Sequence, residues 1–141
     1  MLYGYGDIIL QGSLITIELA LLSVMVSIVL GLIGASAKIF GSNWMSIITD
    51  IYTTLIRGIP DLVLMLLIFY GLQMSLNELT EYLGISQINI DPFVAGVLTI
   101  GFIFGAYMTE TFRGAILAVD RGQLEAAAAY GMTPWQVFRR V

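Results

Sequence analysis

The sequence contains no cysteine and no histidine among its 141 residues. Without cysteine there is neither a disulfide nor a thiol nucleophile, and without either residue the usual zinc sites are excluded. Charge is also scarce, since Asp, Glu, Lys and Arg make up 11% of the chain, where a soluble globular protein has about 25%. No basic run suggests nucleic acid. We therefore expect no metal site and no nucleic-acid partner.

A phosphate-binding loop of the P-loop type is absent as well. That motif needs Gly-x-x-x-x-Gly-Lys followed by Ser or Thr. The only lysine, Lys38, lies in the sequence Ser-Ala-Lys-Ile. We therefore expect the chain to bind no cofactor and to hydrolyse no ATP by itself, and we expect Lys38 to anchor the end of an apolar segment at the membrane interface.

Apolar residues are present in excess, at 58% of the chain. Three segments are long and apolar enough to cross a bilayer, which takes about 20 residues: residues 11–37, 59–76 and 92–109. Because lipid offers no partner for an unpaired backbone group, all three are expected to be helices. No Lys or Arg precedes the first segment, so it does not resemble a cleaved signal peptide. The predicted fold class is an all-α, polytopic transmembrane helical bundle that forms a single domain over residues 1–141.

The basic residues predict the orientation of these spans. All six Lys and Arg residues fall on the same side of the membrane if the three segments cross it in turn. Positive residues favour the cytoplasmic side, so the N-terminus is expected outside. Three of these residues are expected to anchor the spans at the interface: Lys38, Arg57 and Arg113.

Two further helices are predicted on the cytoplasmic side. Over residues 43–57, apolar residues recur at steps of three and four, which is typical of an amphipathic helix lying on the membrane surface. The alternative is that this stretch simply begins the second span. After the third span, Asp120 and Gln123 have the spacing of a capping box, and Gly131 is the residue type favoured just beyond a helix end. A short helix is therefore predicted over about residues 121–131, and Thr133 is expected to cap another.

Small residues recur at helical spacing within two of the spans. Gly101 and Gly105 form a Gly-x-x-x-Gly face in the third span, and Ser27, Gly31 and Ala35 repeat the spacing in the first. Such faces let two helices approach closely, so we expect these residues to serve packing.

The short helix also carries a motif. Glu125-Ala126-Ala127 is followed after three residues by Gly131 and after nine more by Val141. This spacing resembles the EAA motif of binding-protein-dependent ABC importer permeases. The stretches 57–60, 106–114 and 122–125 resemble the polar amino acid branch of that family.

The resemblance implies a fold, a function and a set of partners. It implies a type I permease fold of about five spans, of which this sequence holds three, so we expect the sequence to be C-terminally truncated. It implies import of polar, basic amino acids such as histidine, lysine, arginine and ornithine across a bacterial inner membrane. The implied partners are a second homologous permease subunit, two ATP-binding subunits that use ATP and Mg²⁺, and a periplasmic amino-acid-binding protein. The implied ATPase-coupling residues are Gly122, Glu125, Ala126, Ala127 and Gly131.

Charged residues at membrane depth are candidates for the substrate path. Asp61 in the second span is suited to a cationic amino acid, although it is also suited to the positive end of its own helix or to Arg57. Glu18 is expected either to contact substrate or to bond within the bundle. Glu110 is a third candidate, although its spacing also favours an ion pair with Arg113.

Two other functions remain open on sequence grounds. An ion-coupled secondary amino acid transporter or a channel module would need polar groups near the membrane midplane, often at broken helices. Only Glu18 favours that class. A membrane scaffold without a transport role has no specific residue in its favour.

Overall fold

The computed structural model describes residues 4–84, 86 and 89–141. Over these residues the chain forms only α-helices and connecting turns. The helices are α1 Gly6–Phe40, α2 Asn43–Gly58, α3 Asp61–Tyr82, α4 Pro92–Leu117, α5 Arg121–Ala129 and α6 Pro134–Arg140. The all-α fold class is therefore confirmed.

Helices α1, α3 and α4 are long and apolar enough to cross a membrane. Helix α1 has 35 residues and is about 52 Å long, which exceeds the roughly 30 Å of bilayer hydrocarbon. Each helix continues past the C-terminal end of its predicted span, at residues 37, 76 and 109, because backbone hydrogen bonding continues past the apolar stretch. The helix of the second span, α3, begins at Asp61 with Pro60 at its N-cap, two residues after the predicted start at about residue 59.

Helices α2 and α3 are separated by a two-residue connection, Ile59 and Pro60. Ile59 is extended, with φ −116° and ψ 141°. A residue that precedes proline is pushed out of the α region by the proline ring, so Pro60 ends the helix here. The amphipathic stretch is therefore a helix of its own, and the alternative that it merely begins the second span is wrong.

The most extensive contact in the bundle joins α1 to α4. Glycines on both helices make this closeness possible. An added Cβ on Gly101 would lie 2.5 Å from Cγ1 of Val26, and one on Gly31 would lie 2.5 Å from Cβ of Met108. An added Cβ on Gly34 would collide with the side chain of Thr109. The packing role expected of the small residues is confirmed.

Helix α2 is held against α3 and α4 by an apolar cluster formed by Ile56, Leu64, Ile103 and Ala106. Beside it, the Tyr52 hydroxyl donates a hydrogen bond to the carbonyl oxygen of Phe102. Burial raises the pKa of Tyr52 to about 12, so the hydroxyl keeps its proton at neutral pH. A backbone carbonyl in the middle of α4 thereby accepts a bond from α2.

Candidate functional site

Helix α5, the predicted coupling helix, begins with a side-chain cap. Oδ1 of Asp120 accepts a hydrogen bond from the backbone N–H of Gly122 at 2.7 Å. The expected capping box with Gln123 is not what caps the helix: the Gln123 N–H donates to the backbone oxygen of Asp120 at 3.0 Å. The short Asp side chain reaches the residue two positions on, as in an Asx-turn. A full capping box does form at Thr133 and Gln136, where α6 begins.

The end of α5 is a Schellman motif. The N–H of Met132 donates to the oxygen of Ala127 at 3.1 Å, and the N–H of Gly131 donates to the oxygen of Ala128 at 2.9 Å. Gly131 has φ +75°, a left-handed conformation that costs other residues about 1 kcal/mol or more. The helix therefore ends at Ala129, and Gly131 forms the turn just beyond it, as its residue type predicted.

The surface of α5 is open. Gly122, Glu125 and Ala126 are exposed, whereas Ala127 is only 5% exposed. Tyr130, just past the helix, is 86% exposed. Within the described residues, Glu125 makes neither an ion pair nor a capping bond. The helix thus presents small side chains, one free carboxylate and an aromatic ring.

Lys38, near the end of α1, lies at the centre of a cluster of charged and polar side chains. Its Nζ is 2.6 Å from Oδ1 of Asp50, 2.5 Å from Oε1 of Glu110 and 2.8 Å from Oγ1 of Thr53. The lysine side chain is only 7% exposed. Lys38 is enclosed between α1, α2 and α4, and its role as an anchor of the span stays a prediction. We call these four residues, with Arg113, the Lys38 cluster.

Glu110 has both of its carboxylate oxygens engaged in this cluster. Oε2 accepts from Nε of Arg113 at 3.1 Å and from Nη2 at 2.9 Å, so the predicted ion pair is confirmed. Oε1 faces Lys38. Arg57 joins these residues along the wall of a cleft of about 420 Å³. With both oxygens occupied, Glu110 is placed to hold helices together rather than to receive substrate.

Asp61 and Arg57 flank Tyr107 instead of pairing with each other. The Tyr107 hydroxyl donates to Oδ1 of Asp61 at 3.0 Å. The guanidinium carbon of Arg57 lies 5.7 Å from the centroid of the same ring, within cation–π range. Glu18 is exposed in the first half of α1, and no described residue bonds to it. Glu18 lies about 30 Å along α1 from Lys38, and Lys38 contacts Glu110. The structure therefore does not bring the three substrate-path candidates Asp61, Glu18 and Glu110 together.

Sequence reasoning missed the contacts that Tyr107 and the polar face of α2 make. Asp50 and Thr53 lie three residues apart on an amphipathic helix, which indicates a shared face but not which helix that face meets. Nothing in the sequence indicates that a lysine 12 residues before Asp50 is its partner.

The three apolar helices, the amphipathic helix and the exposed capped helix α5 together define a polytopic helical membrane protein. The profile of the family described as the inner membrane component of binding-protein-dependent transport systems matches residues 27–141. The chain belongs to this family, and it is a multi-pass inner membrane protein.

Individual relatives are similar over nearly the whole chain. The histidine/lysine/arginine/ornithine transport system permease protein HisQ of Escherichia coli (strain K12) is 60% identical over 141 residues, covering 100% of this chain and 62% of HisQ. The nopaline transport system permease protein NocQ of Agrobacterium fabrum is 40% identical, covering 98% of this chain and 59% of NocQ.

A solved structure supports the same fold. The crystal structure of an amino acid ABC transporter with histidines matches with a TM-score of 0.75 at 33% identity, covering 98% of this chain and 59% of that one. This chain thus spans about three fifths of the length of its relatives. The family and these relatives give no support to the ion-coupled transporter or channel alternative.

Proposed function

We propose that this chain forms part of the permease subunit of an ATP-binding cassette importer for polar, basic amino acids. The observation that carries the proposal is 60% identity along the entire chain to a permease protein of a histidine, lysine, arginine and ornithine transport system. The substrates proposed are therefore these four amino acids, and the protein's role is to line part of their path across the inner membrane.

The proposed partners follow from what the chain offers them. A second homologous permease subunit and membrane lipid would cover the many exposed apolar side chains of α1 and α3. Two ATP-binding subunits would supply hydrolysis, with their own ATP and Mg²⁺, because no P-loop is present in these 141 residues. A periplasmic binding protein would deliver the amino acid. The proposed orientation places the N-terminus outside and α5 in the cytoplasm.

Helix α5 is the proposed contact with the ATPase. Its alanines allow a close approach, its cap and Schellman turn fix both ends, and its surface is open. A short rigid helix held in a cleft passes on rigid-body motion. Glu125 is free to pair with a basic residue of that cleft. The coupling residues proposed are Gly122, Glu125, Ala126, Ala127 and Gly131.

The test uses the full-length protein, assembled with its permease partner, ATPase subunits and binding protein in proteoliposomes. Glu125→Arg reverses the charge of α5, and Gly131→Asp places a charged side chain at φ +75°. Both variants should insert into the membrane, and both should lower ATP-dependent uptake of labelled arginine by about tenfold or more, as expected when coupling between two sites is broken.

Gly84→Asp is the matched control. Gly84 also has positive φ, at +65°, and like Gly131 it lies two residues past the end of a helix, here α3. It lies in the loop between α3 and α4, away from the proposed ATPase contact. This variant should bear the same backbone strain and keep uptake near that of the unaltered protein. Unchanged uptake in both α5 variants, or an equal loss in all three, would contradict the role given to α5.

A further inference from the structure

Within the described residues, helix α5 is joined to the four preceding helices only through the connection from α4. Among the described residues it contacts α6, and neither α5 nor α6 contacts any of the four preceding helices. The chain runs from the end of α4 at Leu117 through three residues into α5 at Arg121. Any displacement of α5 must therefore enter the described bundle through the cytoplasmic end of α4.

The Lys38 cluster lies on that end of α4. Glu110 is two helical turns before Leu117, and its Oε1 meets the ammonium group of Lys38 from α1. The same ammonium group meets Asp50 and Thr53 of α2. The ammonium group thus donates hydrogen bonds to Glu110 of α4 and Thr53 of α2 and forms an ion pair with Asp50 of α2. A single side chain ties α1, α2 and α4 together at the point where α5 is attached.

Burying the charge of Lys38 costs free energy, so a gain in stability does not explain why the cluster is there. A charge that is 7% exposed loses much of its hydration, and replacing buried ion pairs by apolar residues is often neutral or stabilising. Such a cluster instead fixes the relative position of the elements that carry the charges. The small-residue contacts between α1 and α4 already hold those two helices together, but they do not include the polar face of α2.

We propose that Lys38 is a positioning residue that makes α1 and α2 follow the cytoplasmic end of α4 when α5 is displaced. This inference rests on the proposed role of α5. Without Lys38, α2 keeps the apolar cluster around Ile56 and the Tyr52 hydrogen bond to α4 but loses its charged link to that helix. A displaced α5 would then move α4 further than α2 and than α3, which follows α2. ATP would then be hydrolysed without a matching movement of the spans. Lys38 is accordingly a residue for efficient coupling, not for substrate recognition.

The experiment measures amino acid transported per ATP hydrolysed in the same reconstituted complex with the full-length chain. Lys38→Met keeps the length of the side chain and removes its charge, and Glu110→Gln keeps the shape of its partner. Each variant should retain ATP hydrolysis stimulated by the binding protein within about twofold, while transport per ATP falls about tenfold, a typical size for coupling between sites. Lys38→Arg, which keeps the charge, should restore at least half of the ratio.

Arg113→Met is the matched control. Arg113 also pairs with Glu110, but from the same helix, three residues on. Its removal leaves the bridge between helices in place. We therefore expect Arg113→Met to keep the unaltered transport per ATP.

Every outcome decides the matter. A loss in Lys38→Met and Glu110→Gln that Arg113→Met does not share supports the proposal. Unaltered coupling in either of the first two variants overturns it, because the small-residue contacts would then suffice. Equal losses in all three overturn it too, and so does failure of both bridging variants to assemble, since the cluster would then serve folding. If the unaltered complex transports nothing, the proposed function itself is refuted.

Discussion

Asp61 accepts a hydrogen bond from the Tyr107 hydroxyl, and the guanidinium group of Arg57 lies over the ring that carries this hydroxyl. The carboxylate is partly exposed at the first residue of α3. It therefore has one hydrogen bond and no ion pair within the described part of the chain. A carboxylate in this state can attract a passing cation without first breaking an internal salt bridge, unlike Glu110.

The first prediction concerns this charge. Asp61→Asn in the full-length protein should lower uptake of arginine about fivefold relative to a neutral amino acid, because a partly exposed charge pair contributes about 1 kcal/mol. The amide oxygen of asparagine can still accept from the Tyr107 hydroxyl, so the local shape is kept. The measurement is competition between labelled arginine and labelled histidine at about pH 8, where the histidine side chain is mostly neutral, with ATP hydrolysis recorded in parallel.

Tyr107→Phe is the control for that prediction. It removes the hydrogen bond to Asp61 but keeps both the carboxylate and the ring under Arg57. It should leave the ratio between arginine and histidine uptake at that pH unchanged. If Asp61→Asn lowers uptake of both amino acids equally, Asp61 acts on its own helix or on Arg57 and not on the cation.

Lys38 shows how far a single residue can be predicted. Its charge at the end of an apolar segment predicts the side of the membrane, because that rule depends only on the residue and its neighbours. Its partner Glu110 lies 72 residues away, and the pairing depends on how α1 crosses α4. The Glu110–Arg113 pair, by contrast, follows from a spacing of three within one helix and was predictable.

At the scale of helices, the contact between α1 and α4 depends on glycines, which have no side chain: Gly31, Gly34 and Gly101. Gly101 faces the branched side chain of Val26 and, at 3.3 Å from where its Cβ would be, the backbone oxygen of Ser23. A backbone atom cannot rotate away as a flexible side chain can. The two helices would have to separate to admit a methyl group there.

The second prediction follows from this contact. Gly101→Ala should destabilise the protein by about 1–3 kcal/mol, the usual cost of overpacking, despite the better helix propensity of alanine. Gly71→Ala in α3 is the control, since nothing lies within 4 Å of its added Cβ. It should be neutral or slightly stabilising. Thermal unfolding of the full-length protein in detergent measures both, and equal transition temperatures for the two variants would contradict the prediction.

Helix boundaries were the part of the fold that composition predicted least well. The predicted spans ended where charge appeared, at residues 37, 76 and 109, but α3 continues to Tyr82 and α4 continues past Glu110 to Leu117. Hydropathy indicates which part of a helix lipid can cover, whereas the helix ends where the backbone leaves the helical φ/ψ region and the regular hydrogen bonds stop. Local signals were better guides: Asp91 caps α4 with a hydrogen bond from Val94 N–H at 2.9 Å, and Gly131 follows the end of α5.

For the whole molecule, the distribution of charge is the basis of the orientation proposed above. The Lys38 cluster lies toward the C-terminal ends of α1 and α4, Arg57 lies in the last turn of α2, and helices α5 and α6 follow α4. The loop between α3 and α4 carries acidic residues at its edges and no basic residue. Because positive residues are retained in the cytoplasm, one side of the molecule should face the ATPase and the other the binding protein.

The third prediction tests this orientation directly, and the absence of cysteine from these 141 residues makes it possible. Ser86→Cys lies in the loop between α3 and α4, and Gln123→Cys lies on the exposed surface of α5. A membrane-impermeant thiol reagent added outside spheroplasts should label the first and spare the second. The second should react once the membrane is permeabilised, which shows that its thiol is accessible. Labelling of Gln123→Cys from outside would place α5 beyond reach of any cytoplasmic ATPase, and the coupling roles of both α5 and Lys38 would then have no partner to act on.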